Sequence, residues 1–177
     1  LVGVHLNGGR AIKQWPPERF ADVAMRLADS RGAAIVATGG PGDRELIADL
    51  QRALAPRLVI DASVADSLLT SVALLRQLDL LVTGDTGPMH LAAAVGTPVV
   101  AVFGPSDPAR YATRGSVDRV VRIDLPCSPC NRIRRPPARC VGHTPDCLAG
   151  ITADDVFAAA SRALDESAAR LSSAGRA

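Results

Sequence analysis

Short apolar runs typical of buried strands alternate along this chain with segments whose apolar residues recur at helical spacing. The strand-like runs are 1–6, 34–38, 58–61, 79–83, 99–103 and, as an edge strand, 119–123. The helical patterns are 20–27, 46–54, 68–75, the alanine-rich stretch 91–95, and 152–164. This alternation predicts an α/β domain in which helices cover both faces of a parallel sheet.

The length and net charge of the chain limit the classes of function that it can have. The chain has 177 residues, 47% of them apolar, which suits one domain with a substantial core. A net charge of +2 and an aromatic content of 3% argue against nucleic acid as a partner. No apolar stretch reaches about 18 residues and no signal pattern is present, so we expect a cytoplasmic protein.

The extent of the domain follows from the same patterns. Residues 1–165 are predicted to form it, whereas the apolar pattern fades in 166–177, which we expect to be a frayed tail. Leu1 begins directly in a strand-like run without a methionine, which predicts a piece of a longer polypeptide.

The segment Gly-Asp-Thr-Gly-Pro-Met-His at 84–90 lies between a strand-like run and the alanine-rich helix. Glycine-flanked residues at a strand-to-helix junction make an anion site, because free N–H groups of the first turn point outward and the helix dipole favours negative charge. The segment also offers a hydroxyl donor, a carboxylate that can accept from sugar hydroxyls, and an imidazole one turn into the helix. It predicts a phosphate bound within a nucleotide. The candidate residues are Asp85, Thr86, Gly87 and His90.

The loop 7–13 follows the first strand-like run, so it is expected at the same edge of the sheet. It contains Gly8 and Gly9 and ends at Lys13. Exposed amides beside a cation suit a diphosphate; for this segment alone, a solvated surface loop is an equal alternative. Trp15 is interpreted as a packing anchor beside the next helix.

The loop 38–43 follows the second strand-like run. It could bring Asp43, or a backbone group such as that of Gly40, toward a ribose. Asp43 is equally suited to be a helix N-cap, and we favour the cap.

Four cysteines lie in a loop rich in proline and arginine. Cytosolic context disfavours disulfides. The spacing C-x2-C-x9-C-x6-C is compatible with structural zinc, with His143 as an alternative to the last ligand. Reduced, packed thiols are the favoured interpretation, and no catalytic role is expected. The cysteines are Cys127, Cys130, Cys140 and Cys147.

Three segments together resemble glycosyltransferase family 9, the heptosyltransferases that build the inner core of lipopolysaccharide. They are K-Q-W-P-x-x-x-F at 13–20, G-D-T-G-P-M-H-L-A-A-A at 84–94, and G-T-P at 96–98 followed by F-G-P at 103–105. The likeness spans residues 1–165, and its central segment is the specific one. The resemblance implies a Rossmann-like domain that is the C-terminal half of a two-domain GT-B architecture. The other half supplies the acceptor site.

The resemblance also implies roles for individual residues. Lys13 and the pair Thr86–Gly87 would hold the diphosphate of a nucleotide-diphosphate sugar, which is ADP-heptose in the best-known members. His90 would lie nearby, and Asp85 close to the sugar or the phosphates. The family often has a glutamate in the loop corresponding to 38–43, and its absence here counts against a ribose contact from this loop.

The reaction implied is an inverting transfer. An acceptor hydroxyl, deprotonated by a carboxylate, attacks the anomeric carbon while the nucleoside diphosphate leaves. Lys13 and the helix amino terminus would stabilise the leaving group, so no cofactor is expected to be required, with magnesium as an alternative. The base is expected in the missing half, so this chain would bind donor without turning it over. Further expected partners are a glycan or glycolipid acceptor, bound through the missing domain, and the inner membrane, peripherally.

Two other function classes stay open at this point. A sugar-nucleotide epimerase of similar architecture would need catalytic carboxylates from this half of the protein, and only Asp85 is well placed. A non-catalytic nucleotide-binding module is compatible with the missing base.

Overall fold

The computed structural model describes residues 1–63 and 67–174 and contains one sheet of six strands. Every neighbouring pair of strands is parallel, and the spatial order is β3-β2-β1-β4-β5-β6. The α/β fold with a parallel sheet is thereby confirmed. In such sheets, ligands bind beyond the carboxyl ends of the strands where the order reverses, here between β1 and β4. The strands are β1 Val2–His5, β2 Ile35–Thr38, β3 Val59–Asp61, β4 Leu80–Gly84, β5 Val99–Val102 and β6 Arg119–Val121.

Helices pack on both faces of the sheet, as predicted. One core lies between the sheet and α1, α2 and α7, and the other lies between the sheet and α3 and α4. Successive strand residues point to opposite faces, so Val4 belongs to the first core and Val36 and Leu81 to the second. Among the described helices, none is long and apolar enough to cross a membrane. The α-helices are α1 Pro17–Arg31, α2 Arg44–Leu54, α3 Leu68–Leu75, α4 Gly87–Ala94, α5 Pro108–Tyr111, α6 Asp146–Ala149 and α7 Ala153–Ala174.

Trp15 joins the end of the first loop to the C-terminal part of the domain. Its side chain is buried, and its Nε1 donates a hydrogen bond to the carbonyl oxygen of Ile151 at 3.2 Å. The ring meets that of Phe20 edge-on, with the centroids 4.7 Å apart. This contact confirms that Trp15 is a packing anchor.

The last helix begins as predicted but extends further. Thr152 and Asp155 form the capping box, in which each side chain accepts the backbone N–H of the other residue. The Thr152 hydroxyl also donates to the Asp155 carboxylate, and this bond, followed by the one from the Thr152 N–H, lowers the pKa of the Asp155 carboxyl. The helix continues to Ala174, beyond the expected domain end at 165, and an ion pair of 2.5 Å links Glu166 to Arg119 of β6 at the edge of the sheet. The domain boundary itself stays a prediction. Residues 175–177 lie outside the described part of the chain.

Trp15→Ala is expected to lower the free energy of unfolding by about 3–5 kcal/mol, because it empties a buried site of this size. Equilibrium unfolding in urea measures the loss. Leu69→Ala is the control, since Leu69 is 80% exposed and its loss should change stability by no more than about 0.5 kcal/mol. Equal midpoints for both variants would contradict the anchoring role.

Candidate functional site

A cavity of about 320 Å³ lies where the strand order reverses, between the loop after β1 and the start of α4. Because β1 and β4 are adjacent and parallel, the two segments that follow them emerge side by side. Five of the residues proposed from the sequence meet here: Lys13, Thr86, Gly87, Gly8 and Gly9. The remaining lining residues are His5, Asn7, Arg10, Pro88 and Ile133.

Lys13, the only lysine of the chain, spans the gap between the two segments. Its Nζ lies 2.9 Å from Oδ2 of Asp85 and also donates to the main-chain oxygen of that residue. Exposed fractions of 18% and 12% for the two side chains mean that water screens this ion pair little. An ammonium has three donors, so one N–H is left for a ligand.

The contact with Lys13 bears on the role expected for Asp85. The sequence interpretation aimed its carboxylate at sugar hydroxyls or phosphates, but Asp85 is not among the residues that line the cavity. Its carboxylate accepts from Lys13 and so holds the ammonium in place, while a contact between Asp85 and a ligand stays a prediction.

The amino terminus of α4 forms the opposite wall. Thr86 is its N-cap residue, with extended backbone, and no side chain caps the N–H groups of the first turn. That turn contains no acidic residue, so the helix dipole favours an external anion. The Thr86 hydroxyl lies 3.1 Å from that of Thr83, which holds it at the rim.

Gly8 and Gly9 line the cavity, but their amides are engaged. The N–H of Gly8 donates to Oε1 of Gln14 at 2.8 Å, and that of Gly9 donates to Oδ1 of Asn7 at 2.7 Å. This corrects the expectation of exposed amides. The glycines are needed for shape, because a Cβ on Gly8 would lie 2.6 Å from the carbonyl oxygen of Lys13, and Gly9 has a φ of +71°.

Asp43 is buried and holds two loops together. Its Oδ1 accepts from Nδ2 of Asn7 at 2.5 Å, and its Oδ2 accepts the N–H of Gly40 at 2.8 Å. It stands at the N-cap position of α2, yet its side chain bonds no N–H of that helix. The expected cap is therefore corrected: the carboxylate closes the short 3-10 turn Pro41–Asp43, and both oxygens are occupied.

A second cavity, of about 290 Å³, adjoins the first and has mostly apolar walls. It lies between the ends of β1 and β2 and the helices α3 and α4. Gly40 contributes to this cavity and not to the first one. The lining residues are His5, Thr38, Gly39, Gly40, Ala62, Leu68, Ser71, Leu74, Leu75, Pro88 and Leu91.

His5 lines both cavities, and the sequence interpretation missed it. It is the last residue of β1 and is 7% exposed, with Nδ1 3.0 Å from the carbonyl oxygen of Thr38. Burial lowers its pKa, against the opposing effects of the Thr38 carbonyl and the Asp43 carboxylate. A polar residue at the carboxyl end of a buried apolar strand was the signal that could have identified it.

His90 lies away from both cavities. It is exposed on α4, whereas Pro88 and Leu91 face the second cavity. With about 3.6 residues per turn, position 90 lies roughly 160° around the helix from Pro88 and roughly 100° from Leu91. The structure therefore does not bring His90 to either cavity, and its approach to a ligand stays a prediction.

The cysteines do not assemble into a metal site. Within residues 1–63 and 67–174, no three side chains of histidine, cysteine, aspartate or glutamate are arranged to hold a metal ion. All four thiols are free, and they range from exposed at Cys127 to buried at Cys147. Burial, followed by the neighbouring Cys130, raises the pKa of Cys147 to about 11. The alternative of a structural zinc site therefore gains no support from the described residues.

Comparison with known proteins identifies a family and individual relatives that are similar to this chain. The family model for glycosyltransferase family 9 (heptosyltransferase) matches residues 2–138. Lipopolysaccharide heptosyltransferase 1 of Pseudomonas aeruginosa is 32% identical over 133 residues, which cover 72% of this chain and 35% of that protein. The chain spans about a third of the length of such curated relatives.

Solved structures of similar proteins also match this chain over part of their length. The glycosyl transferase family 9 structure from Veillonella parvula is 30% identical, with a TM-score of 0.77, and the match covers 93% of this chain and 46% of that one. The E. coli heptosyltransferase WaaC with ADP is also 30% identical, with a TM-score of 0.62 over 70% of this chain and 38% of that one. The six-stranded sheet and its helices thus correspond to about half of such a protein.

Gly8→Ala is expected to lower the free energy of unfolding by about 1–3 kcal/mol, because the added methyl group overlaps the backbone of the Lys13 loop. Gly40→Ala is the matched control, since a Cβ there meets nothing within 4 Å. Urea unfolding of both variants measures the difference. If Gly8→Ala were as stable as Gly40→Ala, the steric account of the loop would be wrong.

Proposed function

The chain belongs to glycosyltransferase family 9, and we propose that it is the part of a heptosyltransferase that binds a nucleotide-diphosphate sugar such as ADP-heptose. The observation that carries this proposal is the position of Lys13. Its ammonium is fixed 2.9 Å from the Asp85 carboxylate, in a cavity whose other wall is the uncapped amino terminus of α4. A cation and a helix amino terminus facing one cavity suit a diphosphate.

The two cavities suit the two ends of a nucleotide diphosphate. The first has the cation and the helix terminus, and the second has apolar walls of a size that suits a nucleobase. The relative WaaC has been solved with ADP and with ADP-2-deoxy-2-fluoro heptose, which supports an adenine nucleotide as the donor's leaving group.

We propose an inverting transfer of the sugar to a lipopolysaccharide or related glycan acceptor. The acceptor hydroxyl loses its proton to a carboxylate and attacks the anomeric carbon, while the bond to the diphosphate breaks. Among the residues that the structure describes, no carboxylate lines the first cavity, and the nearby Asp85 and Asp43 are engaged with Lys13 and Asn7. We therefore place the base and the acceptor site in the part of the relatives that this chain does not span, and expect the chain alone to bind donor without transferring the sugar.

An epimerase is less well supported. It would require Asp85 to act on the sugar, but the carboxylate of Asp85 is paired with Lys13 and lies outside the lining of the cavity. The same ion pair suits a site that binds a diphosphate.

Lys13→Gln is expected to weaken ADP binding by about 1.5–3 kcal/mol, because a charge-assisted bond to the diphosphate is lost. Glutamine keeps a donor toward Asp85, so the fold should be retained. Calorimetric titration with ADP measures the affinity. Arg57→Gln is the control, since Arg57 pairs with Asp29 on the surface at 2.6 Å, and ADP affinity should not change.

Two results would count against the proposal. The first is that the parent protein fails to bind ADP at millimolar concentration. The second is that Lys13→Gln binds ADP as tightly as Arg57→Gln does, which would remove Lys13 from the diphosphate site.

Because Lys13 is the only lysine, lysine-selective ¹³C labelling gives one reporter at the proposed site. We expect its Cε resonance to shift on addition of ADP and to shift far less with adenosine, which has no diphosphate to contact the ammonium. A two-dimensional carbon–proton spectrum recorded during each titration measures this. Equal shifts with the two ligands would show that the diphosphate does not reach Lys13.

A further inference from the structure

Two of the described residues are shared by the linings of the two cavities. His5 and Pro88 line both, whereas every other lining residue belongs to one cavity alone. In a nucleotide, the ribose connects the base to the phosphates. A ligand with its diphosphate beside Lys13 and its base between the apolar walls therefore has its ribose beside His5 and Pro88.

The hydrogen-bonding state of His5 is set by the strand next to it. Nδ1 lies 3.0 Å from the main-chain oxygen of Thr38, and a carbonyl oxygen can only accept. Nδ1 therefore carries the hydrogen. In the neutral ring, Nε2 is then an acceptor with its lone pair free. Burial, which lowers the pKa of His5, favours this neutral form.

Nε2 is not sealed inside the protein. Within the described residues, the bonds of His5 are made through Nδ1, and none is made through Nε2. The Ser161 hydroxyl is the one fully buried side-chain nitrogen or oxygen that lacks a partner in that part of the chain. Nε2 of His5 also lacks a partner, so it would belong to the same class if it were fully buried. It is therefore not fully buried and keeps contact with the cavities that His5 lines.

We propose that Nε2 of His5 accepts a hydrogen bond from a ribose hydroxyl of the bound nucleotide, so that His5 selects ribonucleotides over deoxyribonucleotides. The proposal rests on the proposed function, because it needs the diphosphate at Lys13 and the base in the apolar cavity. The chemistry is complementary: a hydroxyl donates, Nε2 accepts, and Pro88 has neither an N–H nor a polar side chain with which to compete.

The test compares ADP with 2′-deoxy-ADP and 3′-deoxy-ADP by calorimetric titration of the full chain. For the parent protein, we expect at least one deoxynucleotide to bind roughly 3- to 10-fold more weakly than ADP, as is typical for the loss of one buried hydrogen bond. His5→Asn removes the cavity-facing acceptor, while its amide N–H can still donate to the Thr38 carbonyl. This variant should bind ADP and the same deoxynucleotide equally.

His5→Gln is the matched control, because its amide oxygen can reach toward the position of Nε2 and should restore discrimination. Comparing the parent protein's affinities for ADP and the deoxynucleotides needs no variant, so a variant that fails to fold leaves the test intact. If the parent binds ADP and both deoxynucleotides equally, or His5→Asn still discriminates, the assignment of His5 is overturned and the proposed function stands. Absence of any ADP binding overturns the proposed function itself.

Discussion

The reversal of strand order between β1 and β4 is the constraint on which the candidate site depends. Both strands are buried and run in the same direction, so the segments that follow them leave the sheet at one edge. Residues of both segments line the same cavity. The cavity between them lies beyond the carboxyl ends of the strands, where a ligand can bind without disturbing the core.

The ion pair between Lys13 and Asp85 joins the two segments that line this cavity. Both groups are largely withdrawn from water, so each carries a desolvation cost that the contact must offset. The lysine meets the carboxylate and the main-chain oxygen of the same residue, which fixes the ammonium more firmly than a single contact would. Trp15, two residues further on, is buried against Phe20 and holds the end of the loop. The position of the ammonium thus follows from packing as well as from charge.

The sheet and the meeting of Lys13 with the start of α4 could be predicted from sequence, because both follow from periodicity and from the geometry of parallel strands. The hydrogen-bond and ion-pair partners of individual side chains could not be predicted in this way. Roles toward a ligand were assigned to Asp85 and Asp43 because a carboxylate can accept hydrogen bonds from sugar hydroxyls. In the structure, each carboxylate accepts instead from a donor of the chain itself, the Lys13 ammonium for Asp85 and the Gly40 N–H for Asp43. His5 was missed because burial of its strand concealed that the last residue of the strand opens into two cavities. His90 lines neither cavity, because the sequence did not show which face of α4 borders them.

Under the proposed function, the same ion pair bears on catalysis. Asp85 offsets the charge of Lys13 before a donor binds, so the intact nucleotide sugar meets a site of modest net charge. As the glycosidic bond breaks, the leaving diphosphate gains negative charge close to the remaining N–H of Lys13 and to the amino terminus of α4. Because Asp85 already holds the ammonium in place, no rearrangement is needed when that charge appears. The site therefore stabilises the leaving group more than it stabilises the bound donor, and only such a difference accelerates the transfer.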